Sequence, residues 1–185
     1  MADNLSPQGY TVRAVQNAER TLMSRASEDI AQMMGVNEGI KKDVYTDTRG
    51  NKSIAIGFNL EDKTNQPILD ELGLDRDELK SGKRSLNDKE ISAMYNYSFK
   101  RAANDLKKFD PDINTRPYSV QKALLDMSYN LGYTKLSKFV KMKEALENND
   151  YQKAADEMVD SLWYKQVGDR GPRTEKLMRE ASDFK

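Results

Sequence analysis

The sequence predicts an α+β protein, mostly helical, in which a small antiparallel hairpin lobe and a helical lobe are joined by a long helix. Three observations carry this. Apolar residues alternate with small or polar ones only between Val44 and Phe58, around the turn Thr48-Arg49-Gly50-Asn51. A long amphipathic run follows at Ile91, Met94, Tyr95, Phe99, Ala102, Ala103 and Leu106. Beyond Pro117 every apolar run repeats at three and four residues, so the second half reads as helix throughout.

The elements follow in order. Val12, Val15, Ala18, Leu22, Ala26, Ile30 and Met33 give a narrow helical stripe from about Tyr10 to Met34, which Gly35 interrupts. Val44, Ile54, Ile56 and Phe58 give the hairpin, with room for a third short strand. Between Glu61 and Arg84 the chain is charged and broken by Pro67, Gly73 and Gly82; it reads as a loop-rich connection with one short helix at Ile68, Leu69 and Leu72. Asn87 followed by Glu90 has the spacing of a capping box and starts the long helix. Val120 to Leu131 is apolar on more than one face, as a helix at the centre of a helical lobe must be, and Gly132 ends it. Further helices are expected at Leu136 to Asn148, Tyr151 to Ser161 and Pro172 to Ala181. Trp163 and Tyr164 read as core.

Composition limits the chemistry. The 185 residues are 37% hydrophobic and 32% charged, and a domain of this size buries about 70% of its unfolded surface. There is no cysteine and no histidine, which excludes disulfides, thiolate metal sites, cysteine nucleophiles and serine–histidine catalysis. Lys+Arg and Asp+Glu are both 30, so no global field draws the chain to nucleic acid or to an anionic membrane. The start MADNLSPQ carries an acid where a secretory signal needs positive charge and an apolar run. No stretch approaches a membrane span. The expectation is a soluble protein in the cytoplasm where it is made, without a signal peptide.

Acid–base work therefore falls to carboxylates. Thirty of them make any pair easy to find by chance, so a constellation must be more than a pair of acids. The segment NEGIKKDVYTDTRGNKSIAIGF places Glu38 at the end of a helix, Asp47 before the hairpin turn and Ser53 after it. Counting across Thr48 to Asn51 sets Asp47 nearly opposite Lys52 or Ser53, within cross-strand reach. Singly, Glu38 reads equally as a solvated helix-end acid, Asp47 as a turn-former and Ser53 as strand filler.

Glutamate, eight residues, aspartate, five residues and a hydroxyl residue is the signature of the phage-type lysozymes, glycoside hydrolase family 24, which this chain resembles. The resemblance extends through EGIKKDVYTDTRG, LNDKEISAMYNYSF, ALLDMSYNLG and SLWYKQVGDRGPR, from about Asp29 to Arg179. It implies a two-lobed lysozyme-like fold and cleavage of the β-1,4 bond between N-acetylmuramic acid and N-acetylglucosamine in bacterial peptidoglycan. By this resemblance Glu38 is the general acid, Asp47 steadies the developing positive charge and activates water, and Ser53 helps hold that water; this fits inversion. No cofactor or metal is implied. Asn59, Tyr129, Asn130 and Arg170 match positions that line the cleft and bind substrate. Arg170 matches an arginine beside the glutamate, where its charge favours the ionised carboxylate and so opposes a general acid; a bound saccharide that excludes water would offset this.

The chain departs from the family pattern in three places. Ser53 replaces the usual threonine, keeping the hydroxyl but losing the methyl that restricts its rotamer. Phe58 stands where relatives often carry histidine, and Ala55 where glycine is common.

The domain reading is an amino-terminal helical extension over 1–28 and a lysozyme-like catalytic domain over 29–185. The extension is a candidate for docking on a virion protein, and the enzyme would act on the wall after release at lysis or as part of a particle. The alternative is a non-catalytic lysozyme-like virion or glycan-binding component.

Overall fold

A computed structural model describes residues 41–47 and 50–181. The extension over 1–28, the helix from Tyr10 to Met34, Glu38 and the turn residues Thr48 and Arg49 lie outside the described residues. Among the described residues the chain forms a three-stranded antiparallel sheet and nine α-helices, as the α+β expectation requires. Two compact units interleave along the sequence. One takes residues 41–109 and Met127–Lys138, and the other takes Asp110–Asp126 and residues 139–181.

The first unit is built on the sheet. Strand β1 (Lys41–Thr46) pairs with β2 (Lys52–Ala55), which pairs with β3 (Phe58–Asn59). Lys41 faces Ala55, Tyr45 faces Ser53 and Thr46 faces Lys52, so the register shifts between Lys41 and Tyr45. Ile54 and Phe58 pair on the face that joins a core of Leu60, Ile68, Leu69, Leu74, Leu79, Leu86, Ile91 and Met94, with Val44 packed against it.

Residues 61–84 are more ordered than their composition predicts. They carry a 3-10 turn and two short helices, α1 (Gln66–Glu71) and α2 (Arg76–Lys80). Asp62 and Asp75 start the 3-10 turn and α2, accepting backbone N–H groups at 2.8–2.9 Å. Each helix is too short to repeat an apolar face, so periodicity does not register, yet each contributes one fully buried leucine, Leu69 and Leu79.

Helix α3 (Asp88–Phe109) opens with the predicted capping box. Asn87 Oδ1 accepts from Lys89 N and Glu90 N, both at 3.0 Å, and Glu90 Oε2 accepts from Asn87 N at 2.9 Å. It ends at Phe109, where the second unit begins. Helix α4 (Tyr118–Leu131) has Val120, Ala123 and Leu124 fully buried, and stops at Gly132, whose φ is +66°.

The predicted helix from Leu136 to Asn148 is two helices, α5 (Tyr133–Leu136) and α6 (Val140–Glu147). The break places Phe139 edge-on against Trp163, with centroids 6.4 Å apart and planes at 82°. Helix α7 (Tyr151–Val159) is capped by Asp150 and α8 (Leu162–Gln166) by Ser161. Helix α9 (Arg170–Glu180) begins two residues before Pro172. Trp163 is buried, as expected of a core residue.

Candidate active site

The hairpin turn is built by its own residues. Gly50 N donates to the Asp47 carbonyl at 3.0 Å, closing the four-residue turn, and Gly50 itself sits at φ +84°, a conformation that favours glycine. Asp47 N donates to the Asn51 carbonyl at 2.9 Å, so the residue across from Asp47 is Asn51. The strands thus close sooner than sequence counting sets them, because Asp47 and Gly50 are themselves the ends of the turn. Ser53 faces Tyr45, two residues further along, and stands diagonally to Asp47.

Asp47 is half-buried, and Asn51 holds its carboxylate. Asn51 N donates to Oδ1 at 2.8 Å, and Asn51 Nδ2 reaches Oδ1 at 3.3 Å and Oδ2 at 3.1 Å.

The sheet separates polar from apolar side chains. Val44, Ile54 and Phe58 face the core, while Tyr45, Ser53 and Asn59 are successive partners on the opposite face. Alternation places Asp47 and Asn51 on that same face. Diagonal neighbours in an antiparallel pair stand about 7–8 Å apart at Cα, so Asp47 and Ser53 stand on one side of the hairpin. Ser53 is 1% exposed. Phe58, where relatives often carry histidine, points to the core side and takes no part in the polar face.

Asn59 follows with its side chain employed in the chain reversal after β3. Its Oδ1 accepts from Glu61 N at 2.7 Å, and its carbonyl accepts from Asn65 Nδ2 at 3.0 Å. Arg101 on α3 fixes the far side of this loop, donating to Asn65 Oδ1 at 2.6 Å and Thr64 Oγ1 at 2.9 Å and pairing with Asp62 at 3.1 Å.

Tyr129 and Asn130 lie near the end of α4, both partly buried. The Tyr129 hydroxyl donates to the Ile56 carbonyl at 3.0 Å, tying α4 to the β2–β3 turn, and its ring stands 6.3 Å from that of Tyr95. Ala55, the last residue of β2 before that turn, has φ +56°, which accounts physically for glycine being common at this position in relatives.

Arg170 belongs to the other unit. It is 8% exposed and pairs through Nε with Asp126 at 3.5 Å. Thr174 Oγ1 donates to the other Asp126 oxygen at 3.0 Å. Burial pushes the Asp126 carboxyl up from its ordinary value, against the opposing pull of Arg170, Thr174 and Arg173. Sequence reading missed both Asn51 and Asp126. Asn51 was visible as the residue that closes the turn, whereas nothing in the spacing points from Asp126 to Arg170.

Among the described residues no cluster of three or more acidic side chains could hold a metal ion, and no helix is long and apolar enough to cross a membrane. What this face of the hairpin offers is a carboxylate held by Asn51, with a buried serine at the diagonal position.

Comparison with known proteins agrees with the signature. The chain is 26% identical over 180 residues to the pre-baseplate central spike protein Gp5 of Enterobacteria phage T4; the match covers 89% of this chain and spans 31% of that protein's length. The phage lysozyme family model matches residues 36–180, a segment that contains Glu38, Asp47, Ser53, Asn59, Tyr129, Asn130 and Arg170, and on that match the chain belongs to the phage lysozyme family.

Proposed function

We propose that the chain is a muramidase, cleaving the β-1,4 bond between N-acetylmuramic acid and N-acetylglucosamine in bacterial peptidoglycan. The observation that carries the reading is the Glu38, Asp47, Ser53 spacing inside the segment matched by the family model. Glu38 gives a proton to the departing glycosidic oxygen as positive charge builds at the sugar carbon. Asp47, held in place by Asn51, faces that charge and takes a proton from the attacking water. The Ser53 hydroxyl holds the water on the same side of the hairpin. Tyr129 offers a ring face to a sugar and Asn130 an amide to an acetamido group, while Asn59 and Arg170 complete the substrate contacts. No step needs a metal or a cofactor.

The similarity to a protein named as a spike component favours an enzyme carried on a virion, acting on the wall during entry, over one released at lysis. In that setting the segment 1–28 docks on another virion protein, and residues 29–185 carry the catalysis. The test is release of reducing ends from purified peptidoglycan by wild type and by Glu38→Gln, with circular dichroism confirming that both fold. Cleavage by wild type alone supports the proposal. Equal binding to the wall with cleavage by neither identifies a non-catalytic, glycan-binding component instead.

A further inference from the structure

We infer that Asn51 is a positioning residue for Asp47, fixing the direction of its carboxylate; the inference rests on the catalytic role proposed above for Asp47. The contacts go beyond what a turn requires. The turn is closed by the Gly50 N–H to the Asp47 carbonyl and by the Asp47 N–H to the Asn51 carbonyl, both backbone bonds. The Asn51 amide then adds a side-chain clamp, with Nδ2 at 3.1 Å from Oδ2 and 3.3 Å from Oδ1 while the backbone N–H holds Oδ1 at 2.8 Å.

Both carboxylate oxygens are therefore engaged from one side, so the carboxylate cannot rotate without losing donors. A carboxylate that must act on water at one face of a sugar needs this constraint, because small errors in the placement of a reacting group are costly in rate. The Asn51 amide also supplies dipoles that are in place before charge develops.

Asparagine and aspartate both suit this end of a turn and have the same shape, so N51D separates the two roles. It keeps the turn but replaces the amide donors with a second negative charge beside Asp47. The experiment measures apparent kcat and KM on purified peptidoglycan, together with the thermal midpoint, for wild type, N51D, N51A and N51S. D47N and E38Q serve as controls.

The expected result is that N51A lowers kcat about tenfold and N51D by more, while KM moves less than about twofold. N51S, which keeps one side-chain donor, recovers part of the loss. The midpoint of N51D stays within about 2 °C of wild type, a shift of no more than about 1 kcal/mol for a chain of this size. If N51D does not fold, the order of N51S and N51A decides: N51S above N51A supports the clamp, and equal rates overturn it. If N51A and N51D retain wild-type kcat while D47N is inactive, Asn51 serves only the turn and the inference fails with the catalytic reading intact. If D47N and E38Q both cleave normally, the catalytic reading fails and the inference goes with it.

Discussion

Arg116 grips Asp110 with two parallel bonds, Nε to Oδ2 at 3.0 Å and Nη2 to Oδ1 at 3.1 Å, and the two side chains are only 6% and 5% exposed. The same guanidinium donates through Nη1 to the Leu146 carbonyl at 2.7 Å and to Asn149 Oδ1 at 2.8 Å. One side chain therefore ties the segment before α4 to the end of α6, where Asn149 turns the chain at φ +54°. Asp110 donates nothing and accepts from two sides of the fork, a geometry that only arginine supplies.

Removing one partner of such a pair strands a buried charge. Asp110→Ala is expected to destabilise the protein by about 3–5 kcal/mol, read from urea denaturation. Arg116→Lys should also lose stability, since an ammonium cannot span both carboxylate oxygens and the Leu146 carbonyl. Wild-type midpoints for both variants would show that the pair is not structurally important.

Ala55 holds a left-handed backbone conformation while 2% exposed. A residue with a Cβ there carries about 1–2 kcal/mol of strain. Glycine relieves the strain but gives up a buried methyl worth about 0.8 kcal/mol and adds freedom to the unfolded chain. Ala55→Gly is therefore expected within about 1 kcal/mol of wild type, whereas branching at Cβ in Ala55→Val costs about 2 kcal/mol or more. Thermal midpoints check the order; a valine variant as stable as the glycine variant would contradict it.

Glu175 predicts a particular response to acid. The Tyr164 hydroxyl donates to its Oε2 at 2.5 Å and Arg179 to its Oε1 at 2.9 Å, and these hold the carboxyl below its ordinary 4.5, with the tyrosine the larger cause. A lowered value in the folded state means that the group adds stability above about pH 4.5 and loses it as pH falls through the folded value. Tyr164→Phe removes the main cause. The stability difference between wild type and this variant, from urea midpoints across pH 3 to 7, should be largest at neutral pH and shrink toward pH 3. A difference that is constant with pH would mean that the hydroxyl contributes without acting on the charge.

The same physics separates what the sequence showed from what it did not. The hairpin, the capping box at Asn87 and Glu90, and the stop at Gly132 rest on contacts within a few residues, so local pattern suffices to find them. Helices α1 and α2 are too short to display a period, and their leucines reveal themselves only by burial. The break at Phe139 depends on Trp163, twenty-four residues away in sequence, and no local signal marks it. In the candidate site Asp47 and Ser53 were named from spacing, and the sheet register places them on one face. Asn51 was legible as the last residue of the turn, but its grip on the Asp47 carboxylate is seen only in the hydrogen bonds.

Ser53 tests the hydroxyl apart from the fold. With the side chain buried on a small residue, Ser53→Ala should leave stability within about 1 kcal/mol and lower kcat about tenfold or more, if its hydroxyl holds the attacking water. Ser53→Thr restores the residue usual in relatives and should retain cleavage. Full activity in the alanine variant would remove Ser53 from the catalytic group.

The most direct measurement is mass analysis of the fragments that the purified protein releases from purified peptidoglycan. Disaccharide-peptides ending in a reducing N-acetylmuramic acid, each heavier by one water than the linked unit and missing from the Glu38→Gln digest, are the predicted products. Anhydromuramyl ends, fragments cut only between sugar and peptide, or identical digests from wild type and Glu38→Gln would contradict the assignment.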